Sequence, residues 1–263
     1  MKDGVAVQMD DGSTYIVRKL LSKGDSNVKL SKSDKSGKGY LTYGLSLSPA
    51  ATSGHNVCPN ATPGCKAGCL YYAGLASVFP KVNVGRIAKT KLFFQNRQAF
   101  KEMLLADLLS AKKRAAKLGK QLAVRLNVLS DIAWEKIFPE IFTLFHDVQF
   151  YDYTKVPLRA YKFNKGDFPK NYHLTFSRSE VNADEILHFA QVNSIVNIAV
   201  VFDKKLLPKF YLGRDVVSGD ETDLRFLDKS GIIVGLYAKG KARKDTSGFV
   251  VPTKEVRVSL PLI

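Results

Sequence analysis

No window of the 263-residue sequence approaches the roughly 18 consecutive apolar residues that a membrane-spanning helix needs. The opening run, MKDGVAVQMDDGSTYIVRKL, has no apolar core of the secretory-signal kind, so the chain reads as cytoplasmic with no membrane partner. No repeat of solenoid length is present. Cysteine is scarce, and its three copies are packed into one short stretch, which is a poor disulfide framework. Acid is scarce too. Asp plus Glu number 24 against 40 Lys plus Arg, a formal net charge of +16. That excess favours an anionic partner, nucleic acid or a nucleotide.

The shortage of acid is uneven. Between Asp34 and Glu102 there is none, while nine Lys and Arg occur there, Lys89, Lys91 and Arg97 among them. These three are the expected phosphate-contacting positions of a nucleic-acid interface. Acidic residues gather instead in GDETDLRFLD, residues 219–228, with Asp215 just before. That segment reads as a cation site, a partner for ribose hydroxyls or Arg225, or a solvated turn.

All three cysteines lie in the acid-free run, in HNVCPNATPGCKAGCLYYAG. Cys58, Cys65 and Cys69 sit among Pro59, Pro63, Gly64 and Gly68, so the sequence forms a loop. Thiols converging in a loop typically hold a metal or an iron–sulfur cluster. Two sites are open: zinc with His55 as fourth ligand, or a [4Fe–4S] cluster on three thiolates with one iron left for an exogenous ligand.

Strand and helix signals alternate along the chain. Residues 1–39 read as an N-terminal extension, with a hairpin at Asp11-Gly12 and a mobile Lys/Ser/Gly linker over 22–39. Residues 40–263 read as one domain with the Cys loop at 55–72. Strands are expected at 40–49, 121–129, 148–156, 172–179, 194–202 and 231–240, and helices at 86–118, 132–145, 157–163, 183–192 and 204–211. Ser130 is a candidate N-cap and Pro139 an awkward interior residue of the 132–145 helix. Six such units predict an α/β fold, a partial (β/α)6 TIM-like barrel with a small N-terminal extension.

In such an architecture the chemistry gathers at the C-terminal ends of the strands. The Cys loop follows the first strand. Arg125, Asn127, Ser130 and Asp131 follow the second, Tyr153 and Lys155 the third, and Ser177 and Arg178 the fourth. Polar groups placed there face a ligand or each other, because burying them unpaired is costly. The expected cofactor-binding set is therefore Arg125, Asn127, Asp131, Tyr153, Lys155, Ser177 and Arg178, beside the metal ligands Cys58, Cys65 and Cys69.

These residues carry a resemblance. RLNVLSD and FYDYTKVP are similar to a family of uncharacterised bacteriophage proteins named gene product 88-like, across most of residues 40–250. Three cysteines after the first strand of a β/α chain also resemble the radical S-adenosylmethionine superfamily. That resemblance implies a [4Fe–4S] cluster on the three cysteines, with S-adenosylmethionine chelating the open iron. A phage origin implies the host cytoplasm. The leading expectation is an iron–sulfur protein, radical S-adenosylmethionine-like if an enzyme, acting on or binding nucleic acid or a nucleotide. The alternatives are a non-catalytic nucleic-acid-binding protein with a structural zinc or Fe–S site, and a nuclease using Asp131, Asp152, Asp220 and Asp223 as Mg²⁺ ligands with the cluster as a staple.

Overall fold

A computed structural model of the chain describes residues 3–24, 28–72, 80–192 and 194–256. Two strands, β1 (Val5–Gln8) and β2 (Thr14–Val17), pair antiparallel around the expected Asp11-Gly12 turn. Gly12 there takes φ +79°, which glycine adopts without a Cβ penalty. The remaining strands form one ten-stranded mixed sheet. They are β3 (Leu21–Lys23), β4 (Tyr40–Leu45), β5 (Gln121–Arg125), β6 (Gln149–Thr154), β7 (Tyr172–Ser177), β8 (Asn197–Phe202), β9 (Phe210–Tyr211), β10 (Arg214–Ser218), β11 (Ile233–Tyr237) and β12 (Val250–Val251).

The six expected strands, β4 to β8 and β11, lie side by side in chain order and all pair parallel. β10 extends the parallel run, β3 and β9 close it antiparallel at either end, and β12 pairs with β8. The order ends on two distinct edge strands, β3 and β9. The sheet is therefore open, and the TIM-like barrel expected from the repeat of β/α units is not formed.

Eight helices are described: α1 (Val28–Asp34), α2 (Pro63–Ala67), α3 (Pro80–Gln95), α4 (Arg97–Lys117), α5 (Trp134–Ile137), α6 (Glu140–Leu144), α7 (Pro157–Asn164) and α8 (Ala183–Gln191). Strand side chains alternate between two faces. Leu122, Val124, Phe150 and Tyr172 pack under Phe100, Leu104, Trp134 and Phe142 of the helices, and Phe176, Ile198 and Val200 under Ile186 and Phe189. The opposite face carries Tyr151 and Ala123, covered by Leu30 of α1 and Leu224 of the acidic segment.

Several local expectations change. Residues 22–39 are not all linker: β3 and α1 occupy part of them, and Leu30 and Ser33 are buried. The long helix over 86–118 is two helices, broken at Asn96, whose side chain accepts from Ala99 N at 3.0 Å and starts α4. Pro139 ends α5, since Phe138 before it leaves the helical region at φ −135°. Ser130 caps nothing; its hydroxyl donates to Asn127 Oδ1 at 2.8 Å. The expected helix over 204–211 is absent, and β9 and β10 form a short antiparallel pair instead.

Candidate functional site

The C-terminal ends of β5, β6, β7, β8 and β11 open onto one cavity of about 510 Å³. Cys58, Cys65 and Cys69 line it, and so do Arg125, Asn127, Asp131, Tyr153, Lys155, Ser177 and Arg178. The placement follows from local chemistry. Ala50 turns into the left-handed region at φ 48°, which costs a non-glycine residue roughly 1–2 kcal/mol, and its N–H points at Cys58 Sγ at 3.3 Å. The same sulfur meets Leu129 O at 3.4 Å, tying the loop to the end of β5. Cys65 rides on α2, capped by Thr62 and opened by Pro63. Glu180, just beyond β7, clamps that turn by accepting from Thr62 Oγ1 and Gly64 N, each at 2.7 Å. Gly64 is required there, since a Cβ would press into Ser247 and Phe249.

Burial pushes the Cys58 thiol up to about 11, against the pull of the Ala50 N–H. Burial also raises Cys69, while the N–H of Tyr71 and the charges of Lys155 and Arg86 act in the opposite sense. Such thiols ionise readily only when a cation or cluster takes up the charge. His55 is not on the cavity wall. Its ring stacks on Phe94 of α3 with centroids 4.2 Å apart, so it is not placed as a fourth ligand. Among the described residues no three His, Cys, Asp or Glu side chains, the three cysteines included, are placed together as a group that could hold a metal ion.

The polar wall divides in two. Asn127 and Asp131 hold the loop. Asn127 Oδ1 accepts from Ser130, Ile132 and Trp134, and its Nδ2 donates to Ile132 O and Asp152. Asp131 accepts from Thr154, Lys155 N and Arg159 at 2.7–2.9 Å. Their polar groups are engaged within the protein, so they position other residues rather than present a free group to a ligand. Arg125 pairs with Asp223 at 2.8 Å and lies 4.6 Å over the Tyr153 ring. Burial raises the Tyr153 phenol, with the Asp223 charge acting in the same direction. Lys155 lies 5.6 Å from the Phe249 ring, and Arg178 donates to Gly248 O and Phe249 O at 2.8 and 3.1 Å. Ser177 closes β7, and its carbonyl accepts from Asn182 Nδ2. Lys66 and Lys239 add cationic side chains to the lining, the latter paired with Asp220.

The four aspartates offered as magnesium ligands do not meet in one carboxylate cluster. Asp131 is held by Arg159, Asp152 by Asn127 and Tyr172, Asp220 by Lys239 and Tyr237 N, and Asp223 by Arg125. The basic run also changes character. Lys89 Nζ donates to Leu20 O at 2.8 Å, Lys91 is buried against Asp10, and Arg97 lies over the Phe93 ring. These three do not form a free phosphate-contacting face. Sequence reasoning missed Glu180 and Phe249. Glu180 stands two residues past Arg178, so the rule that polar strand ends face a site extends to it.

An open α/β sheet with a cysteine-lined cavity at the ends of its parallel strands defines the architecture. The chain belongs to the family described as gene product 88, which matches residues 19–253. No curated protein and no solved structure matches it. The likeness to the radical S-adenosylmethionine superfamily thus gains no support from these comparisons. Among the described residues no helix is long and apolar enough to cross a membrane.

Proposed function

We propose that the cavity is an iron–sulfur site in which Cys58, Cys65 and Cys69 hold a [4Fe–4S] cluster and the cationic wall receives an anionic cofactor or substrate. The supporting observation is the placement of all three cysteines on one cavity that Arg125, Lys155 and Arg178 also line. What supports this donor set is that three thiols line the same cavity and that the positive charges of Lys155 and Arg86 act on Cys69; the three do not yet converge into a metal-binding group, so holding the cluster would require the loop to draw them together. A cluster so held supplies an iron open to an exogenous ligand and one-electron chemistry.

The chain's own residues would do the rest. Glu180 and Thr62 fix the α2 turn, and Asp131 holds the Lys155 backbone so that its ammonium stays on the cavity side. Arg178, anchored on the 248–249 carbonyls, and Lys155 would pair with a carboxylate or phosphate, a charge-assisted contact of about 1.5–3 kcal/mol. Arg125, already paired with Asp223, would orient Tyr153 rather than take up the ligand itself. S-adenosylmethionine is the cofactor expected of the resemblance, and a nucleotide or nucleic acid is the substrate class that the net charge of +16 favours.

Protein produced with ample iron and kept from oxygen should be brown, with about four irons and four sulfides per chain. S-adenosylmethionine should then change the electron-paramagnetic-resonance spectrum of the reduced protein. One zinc and no sulfide would overturn the cluster. An unchanged spectrum at saturating S-adenosylmethionine would leave the cluster structural and favour a nucleic-acid-binding protein.

A further inference from the structure

A second cavity, of about 430 Å³, lies between β2, the start of β3 and the first turns of α3, and shares no lining residue with the cysteine cavity. Its wall carries Arg18, Lys19, Lys81, Arg86 and Lys89 and, among the described residues, no carboxylate. Among the described residues none of the five forms an ion pair. The carboxylate acting most on Lys89 is Asp107, which is held by the N–H groups of Leu20 and Leu21 at 2.7 and 2.9 Å.

Like charges around one hollow repel each other: Arg18, Lys19 and Lys81 are exposed, while Arg86 and Lys89 are partly desolvated and hold only neutral partners, Asn83 Oδ1 at 3.1 Å and Leu20 O at 2.8 Å. Burial lowers Arg86 from its usual range and brings Lys89 down to about 8. A protein that needed only solubility would leave Arg86 and Lys89 in water as well. Tyr15, Ser22 and Ser46, each with a hydroxyl, also line it. Gly85 lets the tyrosine close on α3, since a Cβ there would lie 3.1 Å from its Oη. A single carboxylate would answer only one of these charges. A ligand bearing several negative oxygens answers most of them, and guanidinium, ammonium and hydroxyl groups are its ordinary donors.

We propose that this cavity is a phosphoryl-binding site, built for a ligand with two or more adjacent phosphate groups. Two sources share that chemistry, a free polyphosphate or nucleotide and the phosphodiester backbone of a nucleic acid. Neither depends on an iron–sulfur cluster, so the site can be tested on protein without iron.

Isothermal titration of the full chain with inorganic tripolyphosphate, and separately with a ten-nucleotide oligothymidylate, distinguishes the two. One ligand should bind saturably at one per chain and lose affinity as salt rises. The exposed pair Arg18→Gln/Lys81→Gln should weaken it at least tenfold with an unchanged melting temperature. The control pair Lys113→Gln/Lys117→Gln, on α4 outside the cavity, removes the same charge and should leave the affinity within twofold. Tripolyphosphate binding that competes with the oligonucleotide assigns a phosphate pocket open to either source, and oligonucleotide binding alone assigns the backbone. No binding of either probe, or equal weakening by the two pairs, overturns the proposal.

Discussion

Tyr151 and Asp152 are adjacent on β6 and face opposite sides of the sheet, into two polar regions of opposite quality. On the helix side Asp152 accepts from Asn127 N, Asn127 Nδ2 and Tyr172 Oη at 2.6, 3.0 and 2.6 Å. Arg159 joins that group, bonding Tyr172 at 3.0 Å, Asp131 at 2.9 Å and both oxygens of Glu135 at 2.9–3.0 Å. On the other side Tyr151 Oη, His173 Nε2, Thr175 Oγ1, Asn197 Nδ2 and Arg225 Nε are buried with no hydrogen-bond partner among the described residues. The ladder sets Tyr151 beside His173, and Thr175 beside Asn197. A satisfied buried network stiffens what it touches, whereas an unsatisfied one costs stability and leaves its members loosely specified. The first kind stands behind the loop that seats Cys58 and Lys155. The second lies beneath the acidic segment, away from the cysteines.

Replacement of the centre of the satisfied network is the most severe way to break this contrast. Arg159→Met leaves Asp131 and Glu135 buried without their counter-charge, so unfolding in urea should show a loss of about 3–5 kcal/mol. A loss under about 1 kcal/mol would mean the network is not the scaffold. Asn127→Ala strands Trp134 Nε1, Ile132 N and Asp152 together, with an expected loss of about 2–4 kcal/mol in the same assay. Wild-type stability would contradict its role as the loop's anchor.

The unsatisfied side should show itself through pH. Burial, aided by the charge of Arg225, brings His173 from its ordinary 6.5 down to about 4. Its contribution is complete above about 6.5, where folded and unfolded chains both hold it neutral. Below that the unfolded chain takes the proton first, so stability falls as pH drops towards 4, by at most about 1.4 kcal/mol per unit. His173→Gln should flatten the urea midpoint between pH 6.5 and 4 relative to wild type. Parallel curves for the two proteins would refute the shift. The smallest effects come from a matched pair. Tyr172→Phe removes a hydroxyl in use and should cost about 1–2 kcal/mol, while Tyr151→Phe removes an unpartnered one and should change stability by less than about 0.5 kcal/mol. Equal costs would erase the distinction between the two faces.

Much of this arrangement was legible along the chain. The strands 121–125, 149–154, 172–177, 197–202 and 233–237 announced themselves as short apolar runs rich in β-branched and aromatic residues, and their parallel order followed from the helices between them. The gathering of Arg125, Lys155, Arg178 and the cysteines around one cavity followed from placing polar residues at strand ends. β9 and β10 were not legible: the apolar spacing of 204–211 suggests a helix, but Pro208 inside it disfavours one, and only Phe210–Tyr211 of that stretch joins the sheet. Nor was the fate of Lys89 and Lys91, whose partners, Leu20 O and Asp10, lie some seventy or more residues earlier.

By itself the sequence determined which segments alternate, where the cysteines sit and how much positive charge the chain carries, since those depend on neighbours a few residues apart. Tertiary structure alone decided that the sheet stays open, because closure depends on what its last edges meet. It also decided which charges are answered. Asn127 and Asp131 turn inward to partners supplied by β6 and α7. Arg18, Lys81 and Arg86 line one hollow that, among the described residues, no carboxylate lines. Coulomb and desolvation energies depend on distance through space, and distance along the chain does not fix it.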